Sequence, residues 1–137
     1  MQFKIPKNDA KYEWTQHSIR KMMQYGLTEQ RVRRVMHSPK RTEEGVAEDT
    51  VAVMQPSSVR KVNGEETWPQ EIWVMYQLKS KNKKRRSDEA EEKRTIGAGA
   101  EKKIIITAWR YPGVSKVRNA IPIPQTIIDE LLSEGIL

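Results

Sequence analysis

Apolar residues recur with helical spacing in the first third of the chain. Ile19, Met22 and Met23 fall on one helical face, between Thr15, suited to an N-cap, and Gly26, suited to a helix end. This pattern predicts a helix over 16–25. Thr28 then caps a second helix, with Glu29 in its first turn, Val32, Val35 and Met36 as its apolar face, and Ser38-Pro39 as its stop. Two short amphipathic helices are expected, joined by the tight turn Tyr25-Gly26-Leu27-Thr28.

Beyond Pro39 the apolar positions alternate or run continuously. Strands are predicted at Thr50–Met54, Glu71–Leu78 and Lys103–Arg110, with a weaker one near Arg41 to Val46. Few or no helices separate them, so the sheet should be mainly antiparallel, with the helical hairpin covering one face in an α+β fold. Pro124 suits a helix first turn, and Ile127, Ile128, Leu131 and Leu132 form an apolar stripe after it. That helix, over Gln125 to Glu134, is expected to pack on the domain. The alternative is a partner-binding helix or a homodimer contact.

A length of 137 residues fits one domain. Its core should span about 12–111, with a C-terminal helical extension over about 122–137. Between the second and third strong strands, residues 79–102 carry a basic block, an acidic block and Gly97-Ala98-Gly99-Ala100. Blocky charge of this kind resists burial, and a disordered hairpin insertion is expected there.

Charge narrows the partners. Lys and Arg exceed Asp and Glu by 25 to 18, a formal net charge of +7. This favours an anionic partner, RNA or DNA, over the plainer reading that charge only maintains solubility. The chain has no cysteine, which excludes disulfides, thiolate catalysis and cysteine-ligated zinc. No run resembles a signal peptide or the ~20 apolar residues of a membrane span, so a cytoplasmic protein without a membrane partner is expected. His17 and His37 lack metal-ligand spacing, and no phosphate-cradling glycine loop, nucleophile elbow or dinucleotide fingerprint appears. Neither a metal nor another cofactor is expected.

On a helical wheel His17, Arg20, Lys21 and Gln24 point away from the apolar stripe, while Arg33 and His37 share an outer face of the second helix. Lys83, Lys84, Arg85 and Arg86 could clamp a phosphate backbone, or form half of a self-compensating solvated loop. Strand alternation places Arg110 with Ile104, Ile106 and Ala108, and Trp109 with Tyr111 on the opposite face. An arginine at a strand end suits phosphate, and a neighbouring aromatic suits base stacking. Core is the favoured reading of Trp109, and the same holds for Trp14, Trp68 and Trp73. A histidine off the apolar face is more often an ordinary surface residue than a catalyst.

Trp14-Thr15-Gln16-His17, Arg20-Lys21-Met22-Met23, Tyr25-Gly26-Leu27-Thr28, Ser38-Pro39 and Ile104-Ile105-Ile106-Thr107 together resemble a family of small domains related to the BrnT and RelE toxins. The resemblance covers roughly residues 12–111. It implies two helices against a small antiparallel sheet, metal-independent RNA cleavage in active members, and control by an antitoxin protein. The matching site positions are His17 and Arg20 in the first helix and Arg110 and Tyr111 at the last strand. The long insertion and the added C-terminal helix depart from the pattern.

Such chemistry needs a base for the RNA 2′-hydroxyl, cations for the phosphorane and an acid for the leaving oxygen. His17 or Tyr111 would transfer protons, while Arg20 and Arg110 would hold the phosphate. The scheme requires His17 and Arg110 to converge. Two other readings stay open: a non-catalytic nucleic-acid or ribosome-binding module, and a protein-interaction regulator acting through the C-terminal helix.

Overall fold

Thr15 and Thr28 each start a helix by accepting a backbone hydrogen bond on the side-chain oxygen, from the N–H of Ser18 and of Arg31. Helix α1 spans Gln16–Tyr25 and helix α2 spans Glu29–His37. Between them Gly26 adopts φ +65°, and its N–H turns back to the Met22 and Met23 carbonyls. A side chain in that left-handed conformation would be strained, so glycine permits the abrupt turn. The structure, a computed structural model, describes residues 3–79, 102–117 and 119–137. Lys83, Lys84, Arg85 and Arg86, and the expected insertion around them, lie outside the described residues.

Among the described residues seven strands flank the helical pair: β1 (Tyr12–Trp14), β2 (Arg41–Glu44), β3 (Thr50–Pro56), β4 (Arg60–Val62), β5 (Glu65–Thr67), β6 (Gln70–Lys79) and β7 (Lys102–Pro112). Helix α3 spans Gln125–Ser133. Five strands form one sheet in the order β1-β7-β6-β3-β2, antiparallel throughout except where β1 runs parallel to β7. The fold is therefore α+β, with a mixed, mainly antiparallel sheet. Strands β4 and β5 form a separate hairpin over Asn63-Gly64, both with positive φ.

Both faces of the sheet are covered. On one, Ile19, Met22, Leu27, Val32, Val35 and Met36 of the helical pair pack on Val53, Ile72, Val74, Tyr76, Ile105 and Ala108. On the other, Ile127 and Leu131 of α3 join Ala52, Met54, Trp73, Met75, Ile106 and Trp109. The Trp73 and Trp109 rings lie 5.9 Å apart and 3° from parallel. The apolar stripe expected in α3 is thus largely used within the chain, although Leu132 remains exposed.

The strand register corrects one expectation. Met75 pairs with Thr107 and Tyr76 with Ile105, so Ile106 is an extra residue in β7, a β-bulge. A bulge shifts the inward and outward alternation by one residue. Ala108 accordingly sits among the α1–α2 core, whereas Ile104 and Ile106 belong to the α3 side. The expected shared face of Ile104, Ile106, Ala108 and Arg110 does not exist.

A buried carboxylate ties the α3-side core to the chain beyond β7. Glu71 is fully buried, and it accepts hydrogen bonds from Trp68 Nε1 (2.9 Å), Trp73 Nε1 (3.0 Å) and Ser115 N (2.9 Å). Burial pushes its pKa up, but donors from Ser115, Trp68 and Trp73 outweigh that and hold it below the ordinary glutamate value.

Candidate functional site

The basic face of α1 is only partly a surface: Arg20 and Gln24 are exposed, but His17 and Lys21 are not. His17 is 2% exposed and Lys21 5%, whereas Met23, expected on the apolar stripe, is 55% exposed. The cause is the position of α1, which packs along β7 and meets the polar end of α3 as well as the core. His17 Nδ1 lies 2.9 Å from Glu134 Oε2, and its Nε2 lies 2.9 Å from Thr107 Oγ1. Arg20 donates to Glu134 Oε1 at 2.9 Å, and Lys21 pairs with Glu130 at 2.6 Å. The expectation that His17 and Lys21 face outward is therefore corrected.

Thr107, His17 and Glu134 form a hydroxyl–imidazole–carboxylate chain, the connectivity by which a histidine can activate a hydroxyl. Here Thr107 is fully buried and His17 nearly so. The hydroxyl has no open path to a substrate, and the chain instead satisfies polar groups that burial would leave unpaired. At Glu134 burial raises the pKa, yet the hydrogen bonds and charges of His17 and Arg20 carry it below the ordinary value.

Arg110 belongs to a different place. Its Nε donates to the Tyr25 carbonyl at 2.7 Å, a second nitrogen reaches the Gly26 carbonyl at 3.4 Å, and a third reaches Gln70 Oε1 at 3.2 Å. It closes the C-terminal end of α1, satisfying carbonyls that a helix end leaves open. His17 lies at the other end of that helix, about 12 Å away along the axis at ~1.5 Å per residue. Tyr111 is half-buried against the α3-side core. The four expected catalytic residues are thus distributed over three locations, and His17 and Arg110 do not converge.

Of the expected binding residues, Arg33 is engaged by Glu29 at 2.8 Å and Asp9 at 3.3 Å and lies over the Tyr12 ring at 4.5 Å. His37 is exposed at the end of α2.

Sequence reasoning passed over Arg31 and Arg34. Arg31 is half-buried and donates to the Pro56 carbonyl at 2.9 Å, while Arg34 is exposed. Burial, then the positive charges of Arg34 and Arg110, lower the pKa of Arg31. The positive charges of Arg34 and Arg110 thus both bear on Arg31 at the helix–sheet edge. The hydrogen bonds of Arg31 and Arg110 go to carbonyl and amide oxygens, and no carboxylate pairs with any of the three among the described residues. His37 follows Arg34 by one helical turn. Arg31-x-x-Arg34-x-x-His37, at three-residue spacing, was the available signal in the sequence.

Such a cluster attracts an anion, because guanidinium forks match phosphate oxygens and like charges held together are relieved by a negative ligand. Among the described residues no group of three or more His, Asp or Glu is placed to hold a metal ion, and no helix is long and apolar enough to cross a membrane. No protein-family model, curated protein or solved structure matches this chain, so the chemistry of the site rests on its own residues.

Proposed function

We propose that this protein binds RNA through its phosphate backbone, with Arg31, Arg34 and Arg110 as the anchoring cations. What carries this reading is Arg31, whose half-buried guanidinium lies in the field of Arg34 and Arg110 and, among the described residues, donates to the Pro56 carbonyl and to no carboxylate. The net charge of +7 supports it at long range by drawing in a polyanion. Catalysis centred on His17 finds no support in a histidine that is 2% exposed. The reading is therefore a binding module rather than a His17-dependent ribonuclease.

Titrating labelled RNA against salt tests this. Wild-type affinity should fall linearly on a log–log plot, and Arg34→Ala should make the slope shallower by about one phosphate contact. Equal slopes for the two proteins would remove the cluster from the interface.

A second reading has its own observation: exposed His37 stands one helical turn from Arg34, so a proton-transfer group and a phosphate-binding group share one helix face. Under this reading the protein cuts RNA without metal. Fragments ending in a 2′,3′-cyclic phosphate, formed in EDTA and lost in His37→Ala, would support it. An intact RNA bound in the same samples leaves the binding module.

A further inference from the structure

We infer that the cavity beside the α1–α2 turn receives an unpaired nucleobase of the RNA strand whose phosphates the arginine cluster holds, an inference that rests on the binding reading above. The cavity is about 560 Å³, within the range of small-molecule sites. Phe3, Met23 and Leu27 give it an apolar lining, and Lys4, Gln30 and Glu29, whose carboxylate is paired with Arg33, contribute polar groups. Gly26 lines it too, and the Gly26 carbonyl is an acceptor for Arg110. One turn therefore joins the cavity to the cationic cluster.

The chemistry favours a base over other occupants. A purely apolar ligand would leave the neighbouring guanidinium groups unanswered, and a free phosphate would leave the apolar lining unused. A nucleotide within a single strand answers both. Its ring can lie against Phe3 and the polarizable sulfur of Met23, and Gln30 carries both a donor and an acceptor for a base edge. Met23 is 55% exposed on a helix that buries its other apolar residues, Ile19 and Met22. In a duplex the bases are paired and stacked, out of reach of such a cavity, so the site selects single strands.

The test compares three ligands: a single-stranded RNA oligomer, the same sequence as a duplex, and inorganic polyphosphate. Wild type should prefer the single strand over the duplex, and its Met23 methyl NMR signal should shift with the single strand but not with polyphosphate. Phe3→Ala and Met23→Ala should each weaken single-strand binding by roughly tenfold, as expected for one base stack. The ratio of single-strand to duplex affinity should then approach one. Melting curves confirm that the variants are folded, and the wild-type NMR signal decides even if they are not.

A Met23 signal that stays still, with the single-strand preference intact in both variants, overturns the base site. Arg34→Ala would still weaken all three ligands in that case, and the backbone reading would stand. If Arg34→Ala and Arg31→Ala bind every ligand as wild type does, the backbone reading falls and the base site falls with it.

Discussion

Arg110 caps the far end of the helix whose first turn holds His17: its Nε donates to the Tyr25 carbonyl at 2.7 Å, eight residues along the chain from His17. Two residues that suggested one catalytic centre thus mark opposite ends of α1. Their separation assigns His17 to the α1–α3 junction and leaves Arg110 with the guanidinium cluster.

His17→Ala should therefore affect folding and not RNA binding. It strands the buried Thr107 hydroxyl and removes a partner from Glu134, at a cost of about 3 kcal/mol. Chemical denaturation should show this loss, while RNA affinity measured where the variant is folded should match wild type.

Glu71 sets an acid limit on stability. Its folded pKa lies below the ordinary carboxylate value, so its contribution is complete above that value and disappears as pH falls through the folded pKa. Glu134 is shifted in the same direction and adds to the same acid loss. Melting temperatures between pH 7 and pH 3 should fall in wild type. Glu71→Gln, which turns an amide nitrogen toward indole and backbone donors, should cost about 3 kcal/mol at pH 7 and flatten the acid slope.

Gly45 is constrained by space rather than by backbone angle. A β-carbon there would collide with the Thr50 side chain and come within 3.0 Å of Met75 Sδ. Thr50 cannot simply turn away, because its hydroxyl is bonded to the Ala47 carbonyl at 2.6 Å. Gly45→Ala should destabilise the protein by about 2 kcal/mol, by the mechanism of overpacking. Gly64→Ala, in the exposed hairpin turn with no heavy atom near its would-be Cβ, should cost about 1 kcal/mol from its φ of +83° alone. A denaturation series on the two variants separates crowding from backbone strain.

Local chemistry explains which parts could be read in the sequence. Capping threonines, Gly26 and Ser38-Pro39 act within a few residues, and α1 and α2 fall at the expected positions. The three strong strands are found where β-branched and aromatic residues cluster, each end falling within two residues of the expected one. The β4–β5 hairpin was not among the expected strands: Asn63-Gly64 is a turn signal, but its flanking residues are polar and give no apolar alternation. Long-range placement was not legible. Nothing near His17 indicates that Thr107 and Glu134 will enclose it, and nothing in the alternation of β7 marks Ile106 as the bulged residue. The arginine cluster needed the same knowledge, because Arg110 joins Arg31 and Arg34 only once β7 is set against the helical pair.

The bond between His17 and Glu134 closes a loop of 117 positions, and β1 pairs with β7 across about ninety. Contacts so distant in sequence are slow to find, because the entropy of closing the loop must be met before the contact gives anything back. During synthesis α1 can coil early, but its imidazole has no carboxylate until residue 134 has been made. The first helix of this protein therefore waits for the last one, and a nascent chain halted before α3 would present the indole stack of Trp73 and Trp109 to water.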